Sequence, residues 1–174
     1  LVLPPTVMGF FLLLVFGVNQ PIGSFFLNVL GVRIAFSFSA TVIAAVVISF
    51  PIMYRSARGA LEQVDEDLVD AARTLGMSET SIFFKVLVPN ALPGIISGGV
   101  LSFARGLGEF GATAMLAGNI IGKTRTLPLA VYSEVVSNDM HSASIYVVVI
   151  IAICFTAVIL LNIYQLWVKK KRGF

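Results

Sequence analysis

The feature that most constrains the fold is a set of long apolar runs without charge. Residues 34–54 contain no charged side chain over 21 positions, and residues 144–168 contain none over 25. Only 12% of the 174 residues are charged and 57% are hydrophobic, and the charged share is about half that of a soluble domain. A soluble domain of this length cannot bury so much apolar surface, so the runs predict helices that cross a lipid bilayer.

Four spans are predicted within one membrane domain at 1–174, namely 1–18, 34–54, 92–118 and 144–168. At about 1.5 Å per residue, each is long enough for a hydrocarbon core of about 30 Å. The runs are continuous rather than alternating, which favours an all-α membrane protein, a polytopic helical bundle, over a barrel.

The beginning of the chain does not read as a signal peptide. It starts at Leu1, has no basic segment before its apolar residues, and carries Pro4 and Pro5. We expect a fragment that starts inside or just before a membrane helix.

Basic residues beside the spans predict the orientation. Arg55 and Arg58 follow the second span, and the basic run 169–172 follows the fourth. The positive-inside rule puts both, with the C-terminus, in the cytoplasm. The loops at 19–33 and 119–143 are then expected to face outward.

The net charge of +3 comes mainly from the basic run at the C-terminus. No basic surface for nucleic acid is therefore expected. Tyr164 and Trp167, just before this run, are expected as anchors at the interface with membrane lipid. The single cysteine, Cys154, excludes an intramolecular disulfide, and no cofactor or metal site is predicted.

The predicted cytoplasmic loop, residues 55–91, carries an amphipathic helix pattern. Its apolar residues recur at three- and four-residue spacing, at Leu61, Val64, Leu68, Ala71, Ala72 and Leu75. Gly76 is expected to end this helix in a left-handed conformation, and Ser78 to cap a second helix from Glu79 to Leu87 that stops before Pro89. Because the polar face is mainly acidic, a protein partner suits it better than anionic lipid.

The loop resembles the "EAA" loop of ABC importer permeases, which reads Glu-Ala-Ala, three residues, Gly, nine residues, Ile-x-Leu-Pro. The matching positions are Asp70, Ala71, Ala72, Gly76, Val86, Val88 and Pro89, with Arg73 and Leu75 inside the pattern. Asp70, Val86 and Val88 are conservative departures from the family pattern. The resemblance implies two coupling helices that bind an ATPase subunit.

The third predicted span carries two charges and rows of small residues. Gly94, Gly98, Ser102 and Gly106 fall four residues apart, as do Ala104, Gly108 and Ala112, and such rows favour tight helix packing in lipid. Arg105 and Glu109 are also four apart, which on a continuous helix puts them on one face. A lone charge there costs at least about 2.5 kcal/mol. The pair is either a structural ion pair or, with Thr113, part of a gate or pathway.

A second resemblance covers nearly the whole chain. The runs LVLPPTVMGF, FARGLGEFGAT and GKTRTLPLAVY resemble permeases of the molybdate, tungstate and sulfate group, with the molybdate type fitting best. This implies the membrane subunit of an importer in a prokaryotic cell membrane. The implied partners are an ATPase dimer, a second permease copy and an external oxyanion-binding protein. Permeases of that group carry a further N-terminal span, which agrees with the expectation that this sequence is a fragment.

Alternatives to an ATP-driven importer remain. The chain could be a secondary transporter or channel, with Arg105 and Glu109 as an intramembrane ion relay. A third hypothesis is a membrane scaffold protein that transports nothing. The near match to a P-loop at residues 118–124 has three residues between its glycines instead of four, and it is rejected as a nucleotide site.

Overall fold

The structure, a computed structural model, describes residues 3–172, without the side chains of residues 161–162 and 165–172. The described helices are α1 (Pro5–Phe16), α2 (Pro21–Leu30), α3 (Phe38–Glu62), α4 (Glu66–Thr74), α5 (Glu79–Ile82), a π-helical turn (Phe83–Leu87), α6 (Val88–Leu107), α7 (Gly111–Leu116), α8 (Leu127–Val136) and α9 (Met140–Arg172). The predicted all-α fold class is confirmed. The side chains of Trp167 and of the basic run 169–172, on which the predicted anchor and orientation depend, lie outside the described part.

Three described helices are long and apolar enough to cross a membrane. They are α3, the continuous helix Glu79–Leu107, and residues Met140–Leu160 of α9. A bent pair of shorter helices, α1 and α2, raises the number to four if the pair forms one span.

The first predicted span, 1–18, differs from the structure. At about 1.5 Å per residue, α1 is too short to cross a bilayer alone, since it has 12 residues. It ends before Gly17, and α2 starts at Pro21 with its axis bent by 51°. Residues 19–33, predicted as an outward loop, therefore contain a helix, because proline fits the first position of a helix and starts a new one here.

The third predicted span, 92–118, is shifted and broken. The helix already begins at Glu79 and runs through Pro89, so the predicted stop before this proline is wrong. A proline ring clashes with the carbonyl four residues earlier, here that of Lys85. The preceding turn is π-helical instead, and the Val88 N–H donates to the Phe83 carbonyl five residues back. The wider turn lets the helix continue.

The chain divides into two compact units. The first comprises Leu1–Phe50 and Ala104–Phe155. Small side chains allow close packing of its helices. Its buried core consists of Leu12, Ala40, Ala44, Ile48, Ala112, Leu116 and Ala117.

The second unit comprises Pro51–Phe103 and Thr156–Phe174. In it, α6 packs tightly against α3. A Cβ on Gly98 would overlap that of Ser56, and one on Gly94 would lie 2.6 Å from that of Ala60. Tight packing is thus confirmed at these two positions of the predicted small-residue row.

Candidate functional site

The first candidate site is the surface loop, defined as Asp65–Leu87 in the second unit. The amphipathic helix starts later than predicted, because α3 continues to Glu62 and keeps Leu61 in its last turn. The chain then turns, and the Asp65 carboxylate accepts the Asp67 N–H at 3.0 Å. This side-chain cap starts α4 at Glu66.

The turn between the two short helices is confirmed. Gly76 has φ of 76°, which residues with a Cβ rarely adopt. The Met77 N–H donates to the Ala72 carbonyl at 3.2 Å, which closes the end of α4. Ser78 caps α5, since its hydroxyl accepts the Ser81 N–H at 3.4 Å.

Arg73 ties the two helices together across the turn. Its Nε donates to Glu79 Oε1 at 2.8 Å and its Nη2 to Oε2 at 3.2 Å. Its Nη1 donates to Asp70 at 3.0 Å. These carboxylates, Glu79 above all, raise the pKa of the Arg73 guanidinium. All three side chains are exposed, so the pairs contribute little stability. They link the residues on the two sides of the turn.

The surface loop presents apolar side chains beside its charges. Leu75 is 81% exposed at the turn, and Phe84 is 65% exposed. The Phe83 and Phe84 rings meet edge to face, with centroids 5.0 Å apart. Exposed leucine and phenylalanine next to paired charges are typical of a protein-binding surface.

The second candidate site is the Arg105–Glu109 pair in the first unit. Arg105 Nη1 donates to Glu109 Oε2 at 2.8 Å, so the predicted pair forms. The two residues do not share one continuous helix, because α6 ends at Leu107. Glu109 is almost fully buried, and its second oxygen accepts the Ala112 N–H of α7 at 2.8 Å. The carboxylate thus joins the end of α6 to the start of α7.

A cavity of about 260 Å³ adjoins the buried carboxylate. Its lining residues are Thr41, Val42, Ala45, Val46, Gly106, Leu107, Glu109, Thr113, Thr126 and Leu127. Thr113, a predicted pathway residue, is almost fully buried in α7. The cavity brings it to the same wall as Glu109.

Comparison with known proteins assigns the family. Residues 1–172 match the family described as "Binding-protein-dependent transport system inner membrane component". The chain belongs to this family. The resemblance to transport permeases is therefore confirmed, and the chain is a multi-pass protein of the inner membrane.

Relatives in this permease family match most of the chain. The "Molybdenum transport system permease protein ModB" of Escherichia coli K12 is 51% identical over 133 residues, which are 76% of this chain and 58% of that protein. ModB of Haemophilus influenzae is 46% identical over the same shares. The permease YvgM of Bacillus subtilis is 44% identical over 155 residues, 89% of this chain and 68% of that protein. The chain thus spans 58 to 68% of the length of these relatives, which are named as permeases, not enzymes.

The structure separates the predicted permease loop residues into two groups. Those near the turn are exposed except for buried Ala72, and they comprise Asp70, Ala71, Arg73, Leu75 and Gly76. Val86 and Pro89 are half-buried, in the π-helical turn and in α6.

Sequence reasoning missed two features of these sites. The Arg73–Glu79 pair joins residues six apart across a turn, so helix spacing gives no signal for it. Thr41 and Thr126 are far apart in sequence and meet only at the cavity. A threonine just before Leu127-Pro128 does predict a helix start, but not a cavity.

Proposed function

We propose that the chain is the membrane subunit of an ATP-driven importer that moves molybdate or tungstate into the cell. The observation that carries this proposal is the surface loop, in which a glycine turn holds two short helices with exposed apolar tips. The relatives' names support the cargo, since two are molybdenum transport permeases.

The partner of the surface loop is an ABC ATPase subunit. Leu75 and Phe84 supply apolar contact area, and the Arg73 pairs hold the two helices at a fixed angle. An ATPase dimer pairs with two permease copies, and an external oxyanion-binding protein delivers the cargo. The basic C-terminus and the surface loop face the cytoplasm.

During transport, movement of the surface loop is coupled to opening and closing of the cargo pathway. Closure of the ATP-bound dimer moves the two short helices and switches the permease between inward- and outward-facing states. Arg105, Glu109 and Thr113 belong to this pathway, at the break between α6 and α7.

Reconstitution in liposomes tests the proposal. The full-length permease, its ATPase and its binding protein should take up molybdate only with ATP inside. A proton or sodium gradient without ATP should drive no uptake. Uptake driven by the gradient alone would instead establish a secondary transporter.

A simpler measurement tests the ATPase partner. The purified permease should raise the rate of ATP hydrolysis by the ATPase when molybdate-loaded binding protein is added. The Leu75→Asp variant should lose this stimulation, because a charge replaces the most exposed apolar contact. The matched control Leu75→Met keeps an apolar side chain at the same exposed position and should retain the stimulation. Equal loss in both variants would contradict an apolar contact of Leu75 with the ATPase.

A further inference from the structure

The loop between α7 and α8, residues 118–125, presents apolar side chains beside a positive charge. Ile121 is 76% exposed and Ile120 is 41% exposed. Lys123 is exposed next to them, and it forms no ion pair within the part of the chain that the structure describes. Exposed aliphatic side chains and an unpaired cation on one loop offer a surface to a partner with apolar and acidic groups.

Hydrogen bonds hold the backbone of this loop in one shape. The Ile120 carbonyl accepts three backbone N–H groups, those of residues 123–125, at 3.1, 2.9 and 3.1 Å. The Ile120 N–H in turn donates to the Thr124 hydroxyl at 3.0 Å, and Thr124 is almost fully buried. Gly118 and Gly122 have φ of 71° and 72°, a conformation that residues with a Cβ rarely adopt. A partner that meets this loop orders little additional chain, so the entropic cost of binding is low.

Polar side chains tie the loop to α8. Arg125 Nε donates to Asn119 Oδ1 at 3.1 Å, and its Nη1 donates to Glu134 Oε1 at 3.0 Å. The Asn119 side-chain amide donates to the Ser133 hydroxyl. Ser133 and Glu134 both belong to α8. A partner that moves the loop would therefore move α8 as well.

The loop lies beside the start of α3. The Phe36 N–H, two residues before α3, donates to the Leu116 carbonyl at 3.0 Å, and a Cβ on Gly118 would lie 3.2 Å from the Phe36 ring. The surface loop follows the other end of α3, three residues after Glu62. Because α3 is long and apolar enough to cross a membrane, a chain that crosses along it has these two loops on opposite sides.

We propose that residues 118–125 are a docking site for the external binding protein, with Ile121 as an apolar contact and Lys123 as the partner of an acidic side chain on that protein. The proposal rests on the proposed function, which puts the surface loop in the cytoplasm and this loop outside. The chain belongs to a binding-protein-dependent transport family, so a soluble protein must meet its outer face. The charge of Lys123 steers the approach, and the rigid loop passes the contact on to α8.

A lipid surface fits the loop less well than a protein does. Binding to a membrane surface scales with the apolar area that is buried, and the loop offers two aliphatic side chains. Tryptophan and tyrosine are the usual anchors at the membrane interface, and residues 118–125 contain neither. A protein partner needs only a few central contacts of this kind.

Biolayer interferometry tests the contact, with the complete permease–ATPase complex in lipid nanodiscs and the molybdate-loaded binding protein of the same transporter. Lys123→Glu should weaken binding roughly tenfold, mainly through slower association, and should remove much of its salt dependence. Ile121→Asp should weaken binding roughly tenfold through faster dissociation, because a carboxylate replaces the apolar contact. The matched control Arg33→Glu reverses another exposed charge shortly before α3 and should bind nearly like the parent. Equal weakening in Lys123→Glu and Arg33→Glu would contradict a specific contact.

A fluorescent label distinguishes a protein partner from a membrane surface. Cys154→Ala removes the one cysteine of this sequence, and Ile120→Cys then directs the label to the loop while Ile121 and Lys123 stay unchanged. Iodide should quench the label in the complex alone, and loaded binding protein should protect it. An equal amount of an unrelated acidic protein should give no protection. A label that lipid already shields from iodide before any protein is added would overturn the docking site in favour of a membrane anchor.

The outcomes separate this site from the transport function. If the parent takes up molybdate with ATP but Ile121→Asp and Lys123→Glu bind the loaded binding protein like the parent, the docking site is wrong and the importer stands. If the parent complex shows no ATP-driven uptake in the presence of that protein, the proposed function itself fails.

Discussion

The molecule contains two arginine–carboxylate pairs of similar length in opposite surroundings. Arg73 and Glu79 meet at 2.8 Å on the exposed surface loop, and Arg105 and Glu109 meet at 2.8 Å with the carboxylate almost fully buried. Water screens the first pair, so its main effect is geometric. Water screens the second pair less, because its carboxylate is buried and only the Arg105 side chain is partly exposed, and removal of one partner leaves an uncompensated charge. Although the two pairs have equal donor–acceptor distances, we expect mutation of the buried pair to cost far more stability than mutation of the exposed pair.

Removal of the buried arginine should have the largest effect. Arg105→Met leaves Glu109 buried without its cation, which should destabilise the fold by about 3–5 kcal/mol. Thermal unfolding of the purified permease in detergent measures the loss. The double variant Arg105→Met/Glu109→Gln should recover much of it, and an unchanged unfolding temperature in Arg105→Met would contradict the buried-pair interpretation.

The glycine turn should matter next, and for coupling rather than for stability. Gly76→Pro forces φ to about −65°, although the native φ is 76°, so the two short helices lose their relative position. Stimulated ATP hydrolysis should fall roughly tenfold or more, while membrane insertion stays intact. Gly59→Ala serves as control, because open space surrounds a Cβ at that helical position. Normal stimulation in Gly76→Pro would refute the docking role.

The exposed arginine should show a smaller effect on the same measurement. Arg73→Gln removes the bond to Glu79 and loosens the turn, so stimulated hydrolysis should fall roughly threefold. Its unfolding temperature should match that of the parent, in contrast to Arg105→Met. Added salt should weaken stimulation in the parent more than in Arg73→Gln, since exposed pairs are screened. A large stability loss in Arg73→Gln would remove the distinction between the two pairs.

The smallest expected effect concerns an exposed carboxylate in the same unit as the buried pair. The Ser142 hydroxyl and N–H donate to Asp139 at 2.6 and 3.0 Å and hold the pKa of this carboxyl below its usual value. Its contribution to stability is therefore complete above the ordinary aspartate pKa and is lost as the pH falls through the lowered one. Asp139→Asn should flatten the acid end of the pH–stability curve slightly. Ser142→Ala should shift the transition to higher pH, and identical curves for both variants and the parent would contradict the cap.

The sequence predicted the features that depend on local chemistry. Uncharged runs predicted most of α3 and most of α9, but not the last eight residues of α3, which were predicted as loop. Gly76 and Ser78 predicted the turn and the second helix start, because φ and capping are set by single residues. A bond between Arg105 and Glu109 was one of two alternatives given by their spacing, although that argument assumed a continuous helix and α6 ends at Leu107.

The sequence did not predict the features that depend on contacts between residues far apart in the chain. The hydropathy of residues 92–118 hides the end of α6 at Leu107, because apolar and small residues resume at Phe110 and keep the average over a long window high. The cavity joins α3, α7 and the start of α8, and no periodicity of one helix reports such a meeting. The sequence predicted that the helix ends before Pro89, but the wider π-helical turn before this proline lets the helix continue.

That wider turn has a consequence for evolution and design. A π-helical turn holds one residue more than an α-helical turn, and each residue of an α-helix corresponds to about 100° of rotation. The wider turn winds less per residue and so takes up the rotation that the extra residue would otherwise add. Deletion of one residue within Phe83–Leu87 would therefore restore regular winding and leave α5 and α6 nearly in phase. The side chains of the turn, Phe84 among them, would change direction, so a one-residue change here alters one face of the surface loop without rotating the helices on either side.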